Sequence, residues 1–208
     1  LTMAEKANKV KFNLKNTHYA LLTIGEDGTP TFGTPVPMPG SVSISLEANG
    51  EPENFYADGG VYYVINNNCG YDGDLELALI PESFPTDILK ETLDSKGVLI
   101  ENSEVELAAF ALLFEFDGDQ KHIRHVLYNC SASRPGIEGK TNEDSKEVQT
   151  EKLSLKAVPL ANGMVKAKTG NTTDATTYAD WYKAVYVPAA ESDAATQSAA
   201  KPAKSVKE

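Results

Sequence analysis

Residues Val105–Ser131 read VELAAFALLFEFDGDQKHIRHVLYNCS, two apolar runs joined by Asp117-Gly118-Asp119-Gln120. An Asp-Gly step between β-type runs is a strong short-range hairpin signal, because both residues tolerate the positive φ of a tight turn. In the first run Leu107, Phe110, Leu112, Leu113 and Phe114 leave little polar alternation, which predicts a strand buried on most of both faces. The hairpin is expected to form the central pair of a β-rich core. One of its faces would pack on that core and the other on a second layer, such as a neighbouring subunit.

Outward from this pair the chain keeps reading as β-structure. Thr150–Leu160 alternates Leu153, Leu155 and Ala157 with Lys152, Ser154 and Lys156, and Val42, Ile44 and Leu46 alternate with Ser43, Ser45 and Glu47. A period of two places one set on a wet face. Asp74–Ile80 does the same with Leu75, Leu77 and Leu79, a first strand fits best at His18–Ile24, and Met164–Lys168 follows an Asn162-Gly163 turn signal. Residues 25–40 hold Pro30, Pro35, Pro37 and Pro39, so an extended connection without regular structure is expected there.

Two helical segments are expected. PTDILKETLDSKG from Pro85 offers Thr86 as a cap, Asp87 for the positive helix end and Gly97 as the stop, with Ile88, Leu89 and Leu93 as its buried stripe. Tyr178, Trp181, Tyr182, Val185 and Tyr186 fall at helical spacing and suit a turn or two docked by aromatic rings. Between residues 49 and 73, Phe55, Tyr56, Tyr62, Tyr63 and Tyr71 sit among glycines and asparagines, too apolar for a solvated loop and too broken for one strand. They either fold back over their own core or meet a partner, since exposed aromatic patches mark contact surfaces.

Composition narrows the function. The chain has 208 residues, enough to bury about 70% of the surface its unfolded form exposes. One domain over 10–187 is expected, with an arm over 1–9 and a disordered low-complexity tail over 188–208. The chain carries 19 basic and 30 acidic residues, net −11, and the tail is balanced, so the body is the acidic part. Such a surface does not grip nucleic acid, which is held by Lys and Arg displacing counterions from phosphates. Cys69 and Cys130 make no disulfide framework, and a reducing compartment is expected. Neither a secretory leader pattern nor an apolar window of membrane-spanning length is read, so a protein not exported by that route and not embedded in a membrane is expected.

Residue sets that suggest chemistry fail on spacing. His122 and His125 would share a metal on a helix but point to opposite faces of a strand. Asp72-Gly73-Asp74-Leu75-Glu76 begins like a calcium loop, yet its sixth position is Leu77 and its twelfth Ser83. Cys130 lacks a nucleophile's context and reads as a buried thiol. No catalytic, cofactor-binding or metal residue is assigned, and an enzyme is not expected.

The order of elements, together with PGSVSISLEANGEPENFYADGGVYYV from Pro39, GYDGDLELALIPESF running into PTDILKE, HIRHVLYNCSASRPG and TEKLSLKAVPL, resembles the major tail tube proteins of long-tailed, non-contractile bacteriophages. The resemblance covers roughly residues 10–187. It implies a mainly β protein, a tail-tube-type β-sandwich or barrel with one flanking α-helix and a long stacking loop, assembled as stacked hexameric rings. The inner sheets of six copies would line a conduit through which double-stranded DNA passes without specific binding. Tape measure, tail terminator and distal tail proteins are the implied partners, the virion tail the implied location, and the bacterial host cytoplasm the implied site of assembly.

If the strands at 42–47, 74–80, 122–131 and 150–157 form the inner sheet, Glu47, Asp74, Glu76, Lys152 and Lys156 line the lumen. Phe55, Tyr56, Tyr62, Tyr63 and Tyr71 are then the contacts between subunits or rings. The family often carries a further domain, and in place of one this sequence has an Ala/Lys/Ser-rich tail, so decoration and adhesion are not carried over. Two rival readings stay open: a free-standing β-sandwich that binds carbohydrate or a cell surface through its aromatic loop, and a tail terminator or connector that forms a single ring.

Overall fold

The computed structural model describes residues 7–141 and 147–188; most of the expected arm and all but the first residue of the expected tail lie outside this range. In chain order the first strands are β1 (Lys11–Ile24), β2 (Pro30–Phe32), β3 (Val36–Pro37), β4 (Ser41–Asn49), β5 (Glu53–Ala57), β6 (Gly60–Ile65) and β7 (Gly70–Leu77). Helix α1 (Ser83–Asp87) leads into β8 (Thr92–Leu93), β9 (Leu99–Ile100), β10 (Phe110–Gly118) and β11 (Ile123–Ala132). Then come β12 (Glu151–Ala157), β13 (Lys166–Lys168) and α2 (Ala175–Asp180).

The protein is mainly β. One antiparallel sheet runs β2-β1-β10-β11-β12-β7-β4, with β3 added to β1 and β13 to β11. The β10–β11 hairpin lies at its middle, as the sequence predicts. Phe110, Ala111, Leu112 and Leu113 are each fully buried, so β10 is dry on both faces. Phe110, Leu112 and Phe114 share an interior with Tyr19, Leu75, Leu77, Leu153 and Leu155. Ala111 and Leu113 pack with Ala20, Leu22, Val126 and Tyr128 in a second cluster. The layer over that second cluster is not a neighbouring subunit but the chain's own Leu160, Trp181 and Val185. Leu107 precedes the strand and is 37% exposed.

Two bulges curl the sheet. The β1–β10 register slips between Phe12 and Leu14 and again between Lys15 and His18, and Asn13 and Asn16 each adopt φ 53°. Asparagine tolerates this left-handed region better than other side-chain-bearing residues, and each bulge adds bend and twist. The bulges also shift the side-chain faces, which is why Lys11–Thr17 reads so loosely and why β1 starts seven residues before the expected His18. The sheet curls until Ser41 at the start of β4 meets β1, its Oγ donating to Thr17 Oγ1 at 2.7 Å. Met38 N donates to Thr17 O at 2.7 Å beside it. Helix α1 closes this end of the partly closed barrel, with the Phe84 ring edge-on to Tyr19 at 5.2 Å and to Phe110 at 5.4 Å.

Several expectations need correction. The helix expected from Thr86 to Gly97 is only Ser83–Asp87, and Thr86 lies inside it rather than capping it. Ile88 and Leu89 are buried as expected, but Lys90 turns to φ 60° and Leu93 is 53% exposed in the β8–β9 pair. The cause is Asp94, whose Oδ1 accepts from Lys96 N at 2.8 Å and Val98 N at 2.9 Å; a side chain that satisfies nearby backbone donors stabilises a turn against a helix. Residues 25–40 are extended but not irregular throughout, since β2 and β3 add to β1. Strand β7 starts at Gly70 and stops at Leu77, leaving Leu79 67% exposed. The second helix spans Ala175–Asp180, earlier than expected, and Trp181 is buried just beyond it.

The Asp117-Gly118 step is not the turn of the central hairpin. Both residues stay in β10, and the chain reverses over Asp119–His122. Gly118 is small for a different reason: a Cβ there would collide with Lys121 O and the Asn8 side chain. Asn8 ties off the reversal, donating to Lys121 O at 2.7 Å and accepting from Gln120 N at 2.8 Å and Lys121 N at 3.0 Å.

Candidate functional site

Strands β4, β7 and β12 have one wet face. Their register places Ser43, Glu76 and Lys152 in one row, Ser45, Asp74 and Ser154 in the next, and Glu47, Asp72 and Lys156 in the third. The sequence-derived residues Glu47, Asp74, Glu76, Lys152 and Lys156 therefore share one surface, and Asp72, which the sequence reading omitted, belongs with them. Its period-two position relative to Asp74 and Glu76 was the available signal. The expectation that β11 extends this face is corrected: outward-facing Val126 and Tyr128 are buried under the C-terminal segment, and only Ser131 joins the wet rows through Lys156.

The acids of β7 are held in place by their neighbours. Lys152 Nζ lies 2.9 Å from Asp74 Oδ2 and Ser154 Oγ donates to Asp74 Oδ1 at 2.8 Å, so the Asp74 carboxyl lies below its ordinary range. Thr150 Oγ1 at 2.5 Å and Ser43 Oγ at 2.8 Å donate to Glu76 and lower it likewise. Asp74 and Glu76 are thus held as carboxylates, and the three rows carry four acids against two lysines. It presents no basic stripe to a polyanion.

The aromatic segment forms a second surface. Among the described residues strands β5 and β6 pair only with each other, with Phe55 opposite Tyr63 and Asn54 opposite Val64. Asp58 at φ 52° and Gly59 at φ 81° form the turn, the positive-φ pair that twisted hairpins favour. An Asp-Gly step does close a tight hairpin in this chain, but it is this one, and the sequence reading passed over it. Phe55, Tyr56, Tyr62 and Tyr63 are each more than half exposed, and Val61, Val64 and Ile65 are exposed beside them. The rings do not fold back over the core. Tyr71 differs from the other four: it lies in β7, half-buried against the core, with Lys166 Nζ 4.3 Å from its ring centroid and bonded to its hydroxyl.

Tyr71 stands at the end of the barrel opposite α1, around a cavity of ≈ 210 Å³ lined also by Lys11, Phe116, His125, Leu46 and Lys166. His125 stacks on Phe114 at 5.1 Å and meets Phe116 edge-on at 5.7 Å. Burial, followed by Lys11, Lys168 and Lys166, pushes its imidazole down to about 4 from 6.5. An unfolded chain therefore takes up this proton first as pH falls. The contribution of neutral His125 to stability is full above about pH 6.5 and is lost as pH falls through about 4, amounting to about 3 kcal/mol. His125→Phe keeps the stack and should flatten the fall in urea midpoint between pH 6.5 and 4; a variant with the native slope refutes this assignment.

Other polar groups serve the fold. Glu115, Asp117 and His122 have ligand atoms within 4.8 Å of one another. Glu115 already accepts from Asn16, Arg124 and Tyr182, and Asp117 Oδ1 lies 2.5 Å from Lys15 Nζ, so Arg124 and Lys15 already neutralise both carboxylates of the cluster. Burial pushes the Cys130 thiol up to about 12, which suits packing and not nucleophilic attack, while Cys69 is exposed. No helix among the described residues is long and apolar enough to cross a membrane.

No family model and no curated protein sequence matches the chain. Among solved structures, a chain in the cryo-EM structure of the anti-feeding prophage baseplate, 6-fold symmetrised, aligns with 80% of this chain and 99% of its own length, at 11% identity and TM-score 0.45. A chain in the cryo-EM structure of the anti-feeding prophage cap, a tube-terminating cap, aligns with 82% of this chain and 99% of its own length, at 7% identity and TM-score 0.37.

Proposed function

We propose that this chain is a structural subunit of a phage-type, non-contractile tail, assembling into stacked rings, hexameric as in the family its sequence resembles, around a bore that passes double-stranded DNA. Residues 10–187 act as one tube-forming unit. The wet face of β4, β7 and β12 lines the bore, with Glu47, Asp72, Asp74, Glu76, Lys152 and Lys156 on it. The β5–β6 hairpin carries Phe55, Tyr56, Tyr62 and Tyr63 to a neighbouring subunit, while Tyr71 supports the barrel end. Tape measure, tail terminator and distal tail proteins are its partners in the virion tail, after assembly in the bacterial host cytoplasm. This role calls on no cofactor, metal or membrane.

The observation that carries this reading is the hairpin. A two-stranded sheet with apolar side chains exposed on both faces is marginal in water unless something covers it, and such patches mark assembly surfaces. Light scattering across a wide concentration range, with electron microscopy of the same samples, tests the reading. Tubes or stacked rings are the expected result. Rings that never stack favour a terminator, and a monomer at every concentration, even with tape measure and terminator proteins added, ends the proposal.

The bore has its own test. Glu47→Lys with Glu76→Lys turns these rows from four acids and two lysines to two acids and four lysines. Phosphates then gain a line of cationic contacts. Tubes should form normally while DNA ejection slows about tenfold or more; native ejection kinetics in such particles would remove this face from the bore.

A further inference from the structure

The barrel end around Tyr71 is basic and apolar within an acidic chain. Its cavity of ≈ 210 Å³ has Phe114, Phe116, His125 and Leu127 in its lining and Lys11 and Lys166 beside them. Lys11 Nζ sits 4.6 Å from the Phe116 ring centroid and Lys166 Nζ 4.3 Å from that of Tyr71, so each ammonium lies over an aromatic ring. Lys168 adds a third positive charge near His125. The strand edges beside the cavity are also unused: among the described residues the outer flank of β1 is paired only from His18 onward, and β4 pairs only with β7.

The hairpin has the complementary properties. Residues 50–69 contain Glu51, Glu53 and Asp58 and no Lys or Arg. At its tip Tyr56 is 65% exposed, and Asp58 is the acid of the turn. Five strand residues at about 3.3 Å each carry that tip roughly 17 Å from its root, far enough to reach beyond its own barrel.

We propose that the barrel mouth receives the hairpin tip of a second copy of this chain, the Tyr56 ring entering the cavity and the Asp58 carboxylate meeting Lys11 and Lys166. This rests on the assembly reading above and names the site that would take the hairpin. The hairpin leaves the barrel at Asn49 and Gly70, beside the mouth, so each copy carries one donor and one acceptor at the same end. A one-donor, one-acceptor contact is heterologous and closes into a ring when the rotation between copies allows it.

A charge exchange tests the site. Asp58→Lys puts like charges together, as does Lys166→Glu, and each should weaken self-association at least tenfold by light scattering. Asp58→Lys with Lys166→Glu restores opposite charges and keeps the net charge at −11, so it should recover native association within about threefold. The sole tryptophan, buried Trp181, controls for folding: its emission should be native in all three variants. Native protein that assembles while both single variants also assemble normally, or while the double variant is no better than the worse single one, overturns this docking site and leaves the assembly reading standing. Native protein that never assembles overturns both.

Discussion

Replacing Glu115 with alanine is expected to cost about 3–5 kcal/mol, a large part of the total stability of a domain this size. Glu115 is 1% exposed and joins three parts of the fold. It accepts from Asn16 Nδ2 in a β1 bulge at 2.7 Å, from Arg124 Nε on β11 at 3.0 Å and from Tyr182 OH beyond α2 at 3.2 Å. Arg124 in turn lies 3.9 Å from the Tyr178 ring centroid and 5.3 Å from that of Tyr182, and donates to Tyr178 O. Without the carboxylate a guanidinium stays in a largely dry place with no counter-charge, which is the costly way to break such a pair. Removing both charges with Glu115→Met and Arg124→Met should recover most of the loss. Urea midpoints at unchanged m-value measure it, and a loss below 1 kcal/mol for the alanine variant would mean that the pair holds nothing together.

The same substitution reports on how the C-terminal segment is held. Tyr178 OH donates to His122 O at 3.2 Å and Trp181 Nε1 to His125 O at 3.4 Å, so the segment hangs from the start of β11, and the Glu115 network anchors its middle. Trp181 is 2% exposed over the second apolar cluster. Its emission should shift red in the Glu115 variant at urea concentrations where the far-UV signal is still native. Local release of this segment would expose Leu113, Val126 and Tyr128, the side of the sheet that the chain covers for itself.

What was readable in the sequence follows from where burial is simple. The β10–β11 pair was legible because a strand dry on both faces reads as an unbroken apolar run, and β12 and β4 from Ser43 onward because one wet face imposes a strict period of two; Val42, expected inward with Ile44 and Leu46, is 49% exposed at a register slip between Ser41 and Ser43. The five residues expected on a common polar face share one because that period needs no knowledge of the partners. The bulges at Asn13 and Asn16 were not legible: each inserts a residue and resets the alternation, so β1 looked shorter than it is. The Pro85 helix failed because Ile88, Leu89 and Leu93 mimic a helical stripe while Asp94 pulls the backbone into a turn. The Glu115–Arg124 pair joins residues on two strands to tyrosines far along the chain, and no local pattern announces it. The exposure of the aromatic hairpin was left open because composition cannot separate rings that cover their own core from rings that leave it.

That exposure sets up the second large effect, a split between folding and assembly. Phe55→Ser with Tyr63→Ser removes a cross-strand aromatic pair whose members are 56% and 64% exposed. Side chains that already face water contribute little to the monomer, so the unfolding free energy should change by no more than about 0.5 kcal/mol, read from urea midpoints at unchanged m-value. At a subunit contact the same rings become buried anchors, and truncating one aromatic anchor costs about 2 kcal/mol or more. Two truncations repeated at every contact around a ring should weaken assembly at least about a hundredfold, enough to leave dispersed subunits where the native chain forms tubes. Light scattering beside urea unfolding reads both quantities on the same preparations. Assembly at native concentrations would remove the hairpin from the interface. An unfolding free energy lowered by more than about 1 kcal/mol would mean that the rings stabilise their own barrel, because a surface truncation away from any packed contact has no mechanism for so large a loss.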